Sequence, residues 1–192
     1  QDRDQPIIGA NDGASGVAIL LELAKIMGEN PPPIGVNLVF FDGEDQGVPG
    51  VNETYCQGSR FFAKNLPIPR PDEAINLDMV GDKQLVLPIE RYSLEYHPQL
   101  VRHLWDRAKE MGLDAFIGRV DYAIYDDHIP LNEIAGIPSI DLIDFKYPNS
   151  YANFWHTLND IPENCSEESL GQVGDLMVDY IYNREEQNRS EN

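Results

Sequence analysis

No stretch of the sequence approaches the ~18 consecutive apolar residues that a membrane-crossing helix needs, so no segment reads as a transmembrane span. Basic residues are scarce: 14 Lys and Arg stand against 33 Asp and Glu, for a formal charge of −19 and a sequence pI near 4.3. That balance argues against a nucleic-acid partner, whose phosphates select clustered cations, and equally against anionic membrane surfaces. It names no substrate, because acidity also serves solubility alone. Cysteine is limited to Cys56 and Cys165, outside any CxxC pair. This excludes a disulfide framework and a thiolate zinc site, while one bridge between the two stays open. Neither a GxxxxGK(S/T) phosphate loop nor a GxSxG nucleophile elbow occurs. The chain opens on the polar run QDRDQP without an initiating Met or a signal peptide, and is expected to be a mature or truncated product. Sequons at Asn52, Asn164 and Asn188 matter only where the source glycosylates.

What the sequence does hold is alternation of helix and strand signals. With 192 residues and 42% hydrophobic content it suits one domain with a sizeable core. Val17, Leu20, Leu21, Ala24 and Met27 fall on one helical face, and Pro31 to Pro33 stop that helix. Strands are predicted at Leu38–Phe41, Ile75–Val80, Gln84–Ile89 and Ser139–Phe145, with a short helix near Ser59–Lys64. Leu100, Leu104, Ala108 and Met111 share one face of a second long helix ended by Gly112. Ser166 heads a last helix with Glu167 and Glu168 in its first turn and Leu170, Val173, Met177 and Ile181 facing inward. From residue 184 the tail lacks apolar content and is expected to fray, leaving 1–183 as a single domain. Apolar strands separated by helices imply a mostly parallel sheet covered on both faces. Ligands bind such sheets beyond the carboxyl ends of the strands.

Five pieces of chain place an acid or a histidine at such ends. GANDGASG carries Asp12, DGED carries Glu44 and Asp45, INLDMVGD carries Asp78, YDDHIP carries Asp126, Asp127 and His128, and FWHTLND carries Trp155 and His156. Each has a plain structural account. Asp12 is suited to capping a helix, DGED to a solvated turn, and Asp126 or Asp127 to capping a short helix begun by Pro130. His156 beside Trp155 is suited to partial burial. Asp78 resists such an account, because a carboxylate inside an apolar strand is costly unless paired or metal-bound, and Lys83 is its one basic neighbour in sequence. Zinc explains all five together. It accepts Asp, Glu and His ligands and keeps one position open when catalytic. A nearby Glu off the metal then moves the proton. Adjacent residues of a turning segment point apart, so Glu44 and Asp45 can divide these jobs. Calcium is the rival for an acid-rich site, but DGED lacks EF-hand spacing and His156 suits calcium poorly.

In order and spacing, GANDGASGVAILLELA, FFDGEDQG, NLDMVGD, YDDHIPLNEIAGIPSIDLID and FWHTLND resemble the zinc exopeptidase superfamily of family 28 type, on the branch that includes glutaminyl cyclases. The resemblance runs from Gly9 to about Tyr182. It implies an α/β/α sandwich with a central mostly parallel, mixed sheet, here expected to lack its N-terminal strands. It also implies Asp12, Asp45 and His156 as zinc ligands, Glu44 as general base and acid, and Trp155 as part of the substrate pocket. Asp78 would either bind a second zinc or join Asp126 in a hydrogen-bonded acid network. The cyclase branch uses one zinc; its acid-acid-His-x-Pro run matches Asp126, Asp127, His128 and Pro130. Two departures are Asp45, where mammalian cyclases carry Glu, and the loop Gly47–Cys56, which lacks a tryptophan they have nearby. The implied activity is conversion of an N-terminal Gln to pyroglutamate in a peptide or protein, in an extracellular or periplasmic setting. The alternatives are an aminopeptidase with two zincs, one held by an upstream His, and a catalytically silent binding domain of the same fold.

Overall fold

The computed structural model describes residues 4–190, with side chains described for residues 4–183. Helix α1 (Ala14–Glu29) confirms the first helix, but its buried face differs from the predicted one. Ile19 and Leu23 enter the core, whereas Val17 and Leu21 are exposed. The reason is Gly16, which rides against the backbone of strand β1 (Ala74–Asp78); a Cβ there would meet the Leu77 carbonyl oxygen at 2.1 Å. That close approach rotates the helix away from the stripe that sequence spacing selects. Helix α2 (Gln57–Asn65) follows the acidic turn.

β1 pairs in parallel with β4 (Ser139–Ile143), in a register that sets Asn76 beside Asp141 and Asp78 beside Ile143. A second parallel pair, β2 (Leu87–Ile89) and β3 (Phe116–Val120), lies alongside through β2 next to β4. The strand expected at Gln84–Ile89 is shorter, because the Val86 N–H turns aside to the Asp144 carboxylate at 2.8 Å. Between β2 and β3 run α3 (Arg91–Tyr96) and α4 (Pro98–Met111), the latter closed by Gly112 at φ +75° as expected. Helix α5 (His128–Glu133) precedes β4, a short hairpin β5 (Pro148–Asn149) and β6 (Ala152–Asn153) follows it, and α6 (Glu167–Ser190) ends the fold. Val173, Met177 and Ile181 are buried there, as their spacing requires. Together α1, α4 and α6 pack with both parallel pairs around one core containing Leu104, Leu87, Ile140, Leu142 and Leu176. The frayed tail expected from residue 184 falls on side chains outside the described residues.

One expected strand is corrected. Leu38–Phe41 forms no ladder, and residues 35–41 make no backbone–backbone hydrogen bond among the described residues. An extended run becomes a strand only when a neighbour supplies partners. Here β4 occupies one edge of β1, while a cleft of about 1020 Å³ lined by Val36–Phe41 and by Ala74–Asp78 separates this run from the other edge. The same cleft continues to Asp12, Glu44, Asp45 and Asp126.

Since the α1–β1 contact tolerates no side chain, Gly16→Ala is expected to destabilise the protein by about 1–3 kcal/mol through overpacking. Urea unfolding monitored by circular dichroism measures this, and unchanged stability would contradict the contact.

Candidate metal centre and acid cluster

The site forms where β1 and β4 end. Asp12 lies in the turn before α1, and it does not cap the helix: the N-cap is Gly13, with no side-chain bond. Instead its own N–H and that of Asn11 donate to the Asp160 carboxylate, at 3.1 and 2.7 Å. The acidic turn is fixed from behind. Gly43 takes φ +62°, and the carbonyls of Asp42, Gly43 and Glu44 accept from Gly58, Gln57 and Cys56 N–H at 2.9, 3.2 and 2.9 Å. The opening of α2 thus clasps the turn backbone and leaves the side chains of Glu44 and Asp45 to diverge. His156 adopts φ +56° and stacks on Trp155 with ring centroids 3.9 Å apart. Trp155 leans on Phe145, and Phe145 on Tyr122, so an aromatic row backs the histidine.

These turns bring together residues from three distant parts of the chain. His156 Nε2 lies 2.8 Å from Asp45 Oδ2 and 3.3 Å from Asp12 Oδ2, and donor atoms of all three lie within 4.8 Å of one another. Zinc bound by oxygen and nitrogen at about 2.0–2.1 Å in a tetrahedron spaces its donors about 3.3–3.4 Å apart. The three donors therefore fit zinc, with Asp45 and His156 drawn slightly closer by their mutual hydrogen bond. All three border open space: Asp45 and His156 are exposed, and Asp12 lies between exposed and buried.

Glu44 belongs to a second group of side chains. It clusters with Cys56 and Asp126, its Oε1 lying 4.0 Å from the Cys56 sulfur. Loss of water, and then the charges of Asp126 and Asp45, push its carboxyl up to about 10. Burial, followed by Asp126 and Asp12, raises Asp78 well above the usual carboxylate range. The Lys83 backbone N–H goes to the Asn164 carbonyl, and no ion pair with Asp78 forms among the described residues. Asp126 is raised by burial against the opposing pull of His128. Asp127 does occupy the N-cap position of α5, but its side chain makes no capping bond; its carboxylate accepts the Ser59 hydroxyl at 2.5 Å instead. Both cysteines are free, so no bridge joins them.

Below this cluster lies a tier of which sequence reasoning named only His128, missing Glu90 and Asp141. His128 is fully buried, with Glu90 Oε2 3.4 Å from its Nε2 and Asp141 Oδ2 3.9 Å from its Nδ1. Glu90 also caps α3 through the Tyr92 and Ser93 N–H groups. Burial alone would raise Glu90, but His128 and these two N–H groups hold it below the usual carboxylate range. Asp141 accepts from Asn76 at 3.1 Å on the neighbouring strand. It was detectable by the argument applied to Asp78, for it too is a carboxylate within an apolar strand. Asp160 stands inside the quoted FWHTLND motif, yet no spacing rule singles it out.

Residues 2–181 match Peptidase family M28. The chain belongs to this family. Among solved structures, this M28 chain is similar to a Bacteroides thetaiotaomicron glutaminyl cyclase, with 35% identity, a TM-score of 0.88, and coverage of 93% of this chain and 64% of that one. It is equally similar to a Zn-dependent exopeptidase from Parabacteroides distasonis, with 38% identity, a TM-score of 0.88, and coverage of 94% and 65%. Among curated proteins, aminopeptidase YwaD of Bacillus subtilis is 29% identical over 185 residues, which make up 91% of this chain and 37% of that protein. The M28 chain thus spans less than two thirds of these relatives. Their fold bears out the α/β zinc-exopeptidase architecture expected from the motifs. Among the described residues no helix is long and apolar enough to cross a membrane.

Buried acids outside the donor triad give the M28 chain a pH signature. Burial raises Asp82 and Asp144 to about 6, and burial followed by Asp126 raises Asp127 to about 7. A carboxylate with a raised folded-state pKa holds its proton in the folded state after the unfolded chain has lost it. Stability therefore falls as pH rises from about 4 to about 7, and Glu44, raised to about 10, carries the fall beyond that window. The melting temperature of metal-free protein is expected to follow that course. Asp82 Oδ2 is buried without a hydrogen-bond partner, so Asp82→Asn should flatten the fall; a melting temperature that climbs across the window would refute the assignment.

Proposed function

We propose that this M28 chain is the catalytic part of a zinc-dependent glutaminyl-peptide cyclotransferase, which closes an N-terminal Gln of a peptide or protein to pyroglutamate and releases ammonia. The observation that carries the reading is the pairing of one open His–Asp–Asp donor set with Glu44 beside it, in a carboxylate cluster that includes Asp126 and Asp78. Asp12, Asp45 and His156 would hold a single zinc. When bound, the ion supplies a Lewis acid for the side-chain amide carbonyl of the substrate. Glu44 takes a proton from the α-amine as that nitrogen forms its bond to the amide carbon. It then delivers the proton to the amide nitrogen as the C–N bond breaks and ammonia leaves. Asp126 and Asp78 share protons with Glu44 and so hold it ready for both transfers. Trp155, half-buried on the wall of the site, lines the space for the Gln side chain. The acidic surroundings suit a neutral or cationic N-terminus, and an extracellular or periplasmic setting belongs to the same proposal.

The second reading, a two-zinc aminopeptidase, is favoured by the similarity to YwaD and to the Zn-dependent exopeptidase. There Asp12 would bridge the ions, Asp78 would complete the second site, and Glu44 would act on water. A silent binding domain is the weakest reading, because a scaffold has no use for Glu44 beside the donor set.

Mass spectrometry of a Gln-initiated peptide, incubated with the zinc-loaded full-length protein, separates these readings. Loss of ammonia is expected. Release of the first residue, with near two zincs per chain, would establish the aminopeptidase, and an unchanged peptide would remove the cyclase. Glu44→Gln is expected to keep zinc while turnover drops about 10²–10⁴-fold. His156→Ala should lose the metal, and the reverse pattern would overturn the assignment.

A further inference from the structure

Two of the three donors, Asp12 and His156, come from opposite ends of the chain, and neither is fixed by regular structure. Asp12 sits in a turn, and His156 sits in a loop at positive φ. Their relative placement converges on one side chain. Asp160 is 2% exposed. Its Oδ1 accepts the Asn11 N–H at 2.7 Å and the Tyr147 hydroxyl at 3.2 Å, its Oδ2 accepts the Asp12 N–H at 3.1 Å, and its carbonyl accepts the Ala10 N–H at 3.4 Å. On its own loop the Asp160 N–H donates to the Thr157 carbonyl at 3.1 Å, and the Thr157 N–H and hydroxyl both return to the Phe154 carbonyl. From Phe154 to Asp160 the loop is therefore braced internally, with His156 inside the braced span. On the other side Asn11 carries the same order inward, its Oδ1 accepting the Gly81 N–H at 2.7 Å beyond the end of β1.

We propose that Asp160 is a positioning residue that clamps the Asp12 turn to the His156 loop and thereby sets the spacing of the metal donors. The proposal rests on the reading above only in taking Asp12, Asp45 and His156 to hold zinc. Chemistry requires a carboxylate at this position. All three groups that reach its side chain are donors, two N–H and one O–H, so both of its oxygens must accept. An amide of the same shape keeps one acceptor and turns an NH₂ group toward a donor. If that group replaces Oδ2, it faces the Asp12 N–H; if it replaces Oδ1, it faces Asn11 and Tyr147. Either way one strand of the clamp changes from attraction to repulsion at constant volume. The negative charge also adds to the field that draws a cation to Asp12. Groups that orient metal ligands from behind typically govern metal affinity by about 10–100-fold.

The test measures zinc affinity and needs no turnover. Competition against a chromophoric chelator gives the zinc dissociation constant of the full-length wild-type protein and of Asp160→Asn and Tyr147→Phe, with melting temperatures taken with and without zinc. For Asp160→Asn the expected result is zinc binding about 10–100-fold weaker, with a smaller rise in melting temperature on adding zinc than in the wild type. Tyr147→Phe removes one donor without touching either loop backbone, and is expected to weaken zinc less. A merely structural Asp160 would lower the metal-free and zinc-loaded melting temperatures equally and leave affinity within about twofold, which overturns the proposal. Should Asp160→Asn fail to fold, Tyr147→Phe decides: weaker zinc binding at an unchanged metal-free melting temperature supports the clamp, and unchanged affinity sinks it. A wild-type protein that binds no zinc overturns the metal reading, and the clamp with it. Zinc binding without ammonia release removes the cyclase reading alone.

Discussion

Mutual repulsion of carboxylates is the constraint around which this end of the molecule is built. Asp12, Glu44, Asp45, Asp78, Asp126, Asp127 and Asp141 gather where β1 and β4 end, and several raise one another's pKa. Like charges in a low-dielectric setting are tolerated only through protons, hydrogen-bond donors or cations. All three devices occur in layers. Burial shifts the deepest acids toward their neutral forms, hydroxyls and N–H groups serve Asp127 and Asp160, and the outermost acids meet an imidazole at a spacing that suits zinc.

The backbone delivers those layers by simple means. A parallel ladder sets Asp78 and Asp141 two residues apart in register, because Asn76 pairs with Asp141 and donates to it. Adjacent residues then separate at a turn, so that Asp45 faces the exposed donors and Glu44 faces buried Asp126 and Cys56. The separation persists because three successive carbonyls of that turn are held by the N–H groups that open α2. A helix start has such donors to spare, since its first N–H groups have no partner within the helix.

Much of this was legible in the sequence, and the remainder failed for identifiable reasons. α4 and α6 follow their apolar spacing because one continuous core receives the whole stripe. α1 departs from its stripe because Gly16 invites backbone contact, and periodicity weighs side chains only. Leu38–Phe41 reads as a strand because composition reports extended backbone and is silent about a partner. β3 goes unnoticed because Gly118 and Arg119 interrupt its apolar character, and only Phe116 of its residues is buried. At the site, Asp78 announces itself as a misplaced acid. The positive φ of His156 and the reach of Asp160 across 148 residues of chain leave no trace in local spacing.

The two central histidines show how burial divides roles between similar constellations. Each has two carboxylates near its ring. His128 is fully buried between Glu90 and Asp141. His156 lies exposed between Asp12 and Asp45, with an aromatic row behind it. An exposed imidazole between acids is open to a cation from solvent. One histidine with two carboxylates thus makes a fully buried cluster in one tier and an open donor set in the other. Asp126 ties the tiers together: it clusters with Glu44 and Cys56, while burial raises its carboxyl and His128 pulls it back.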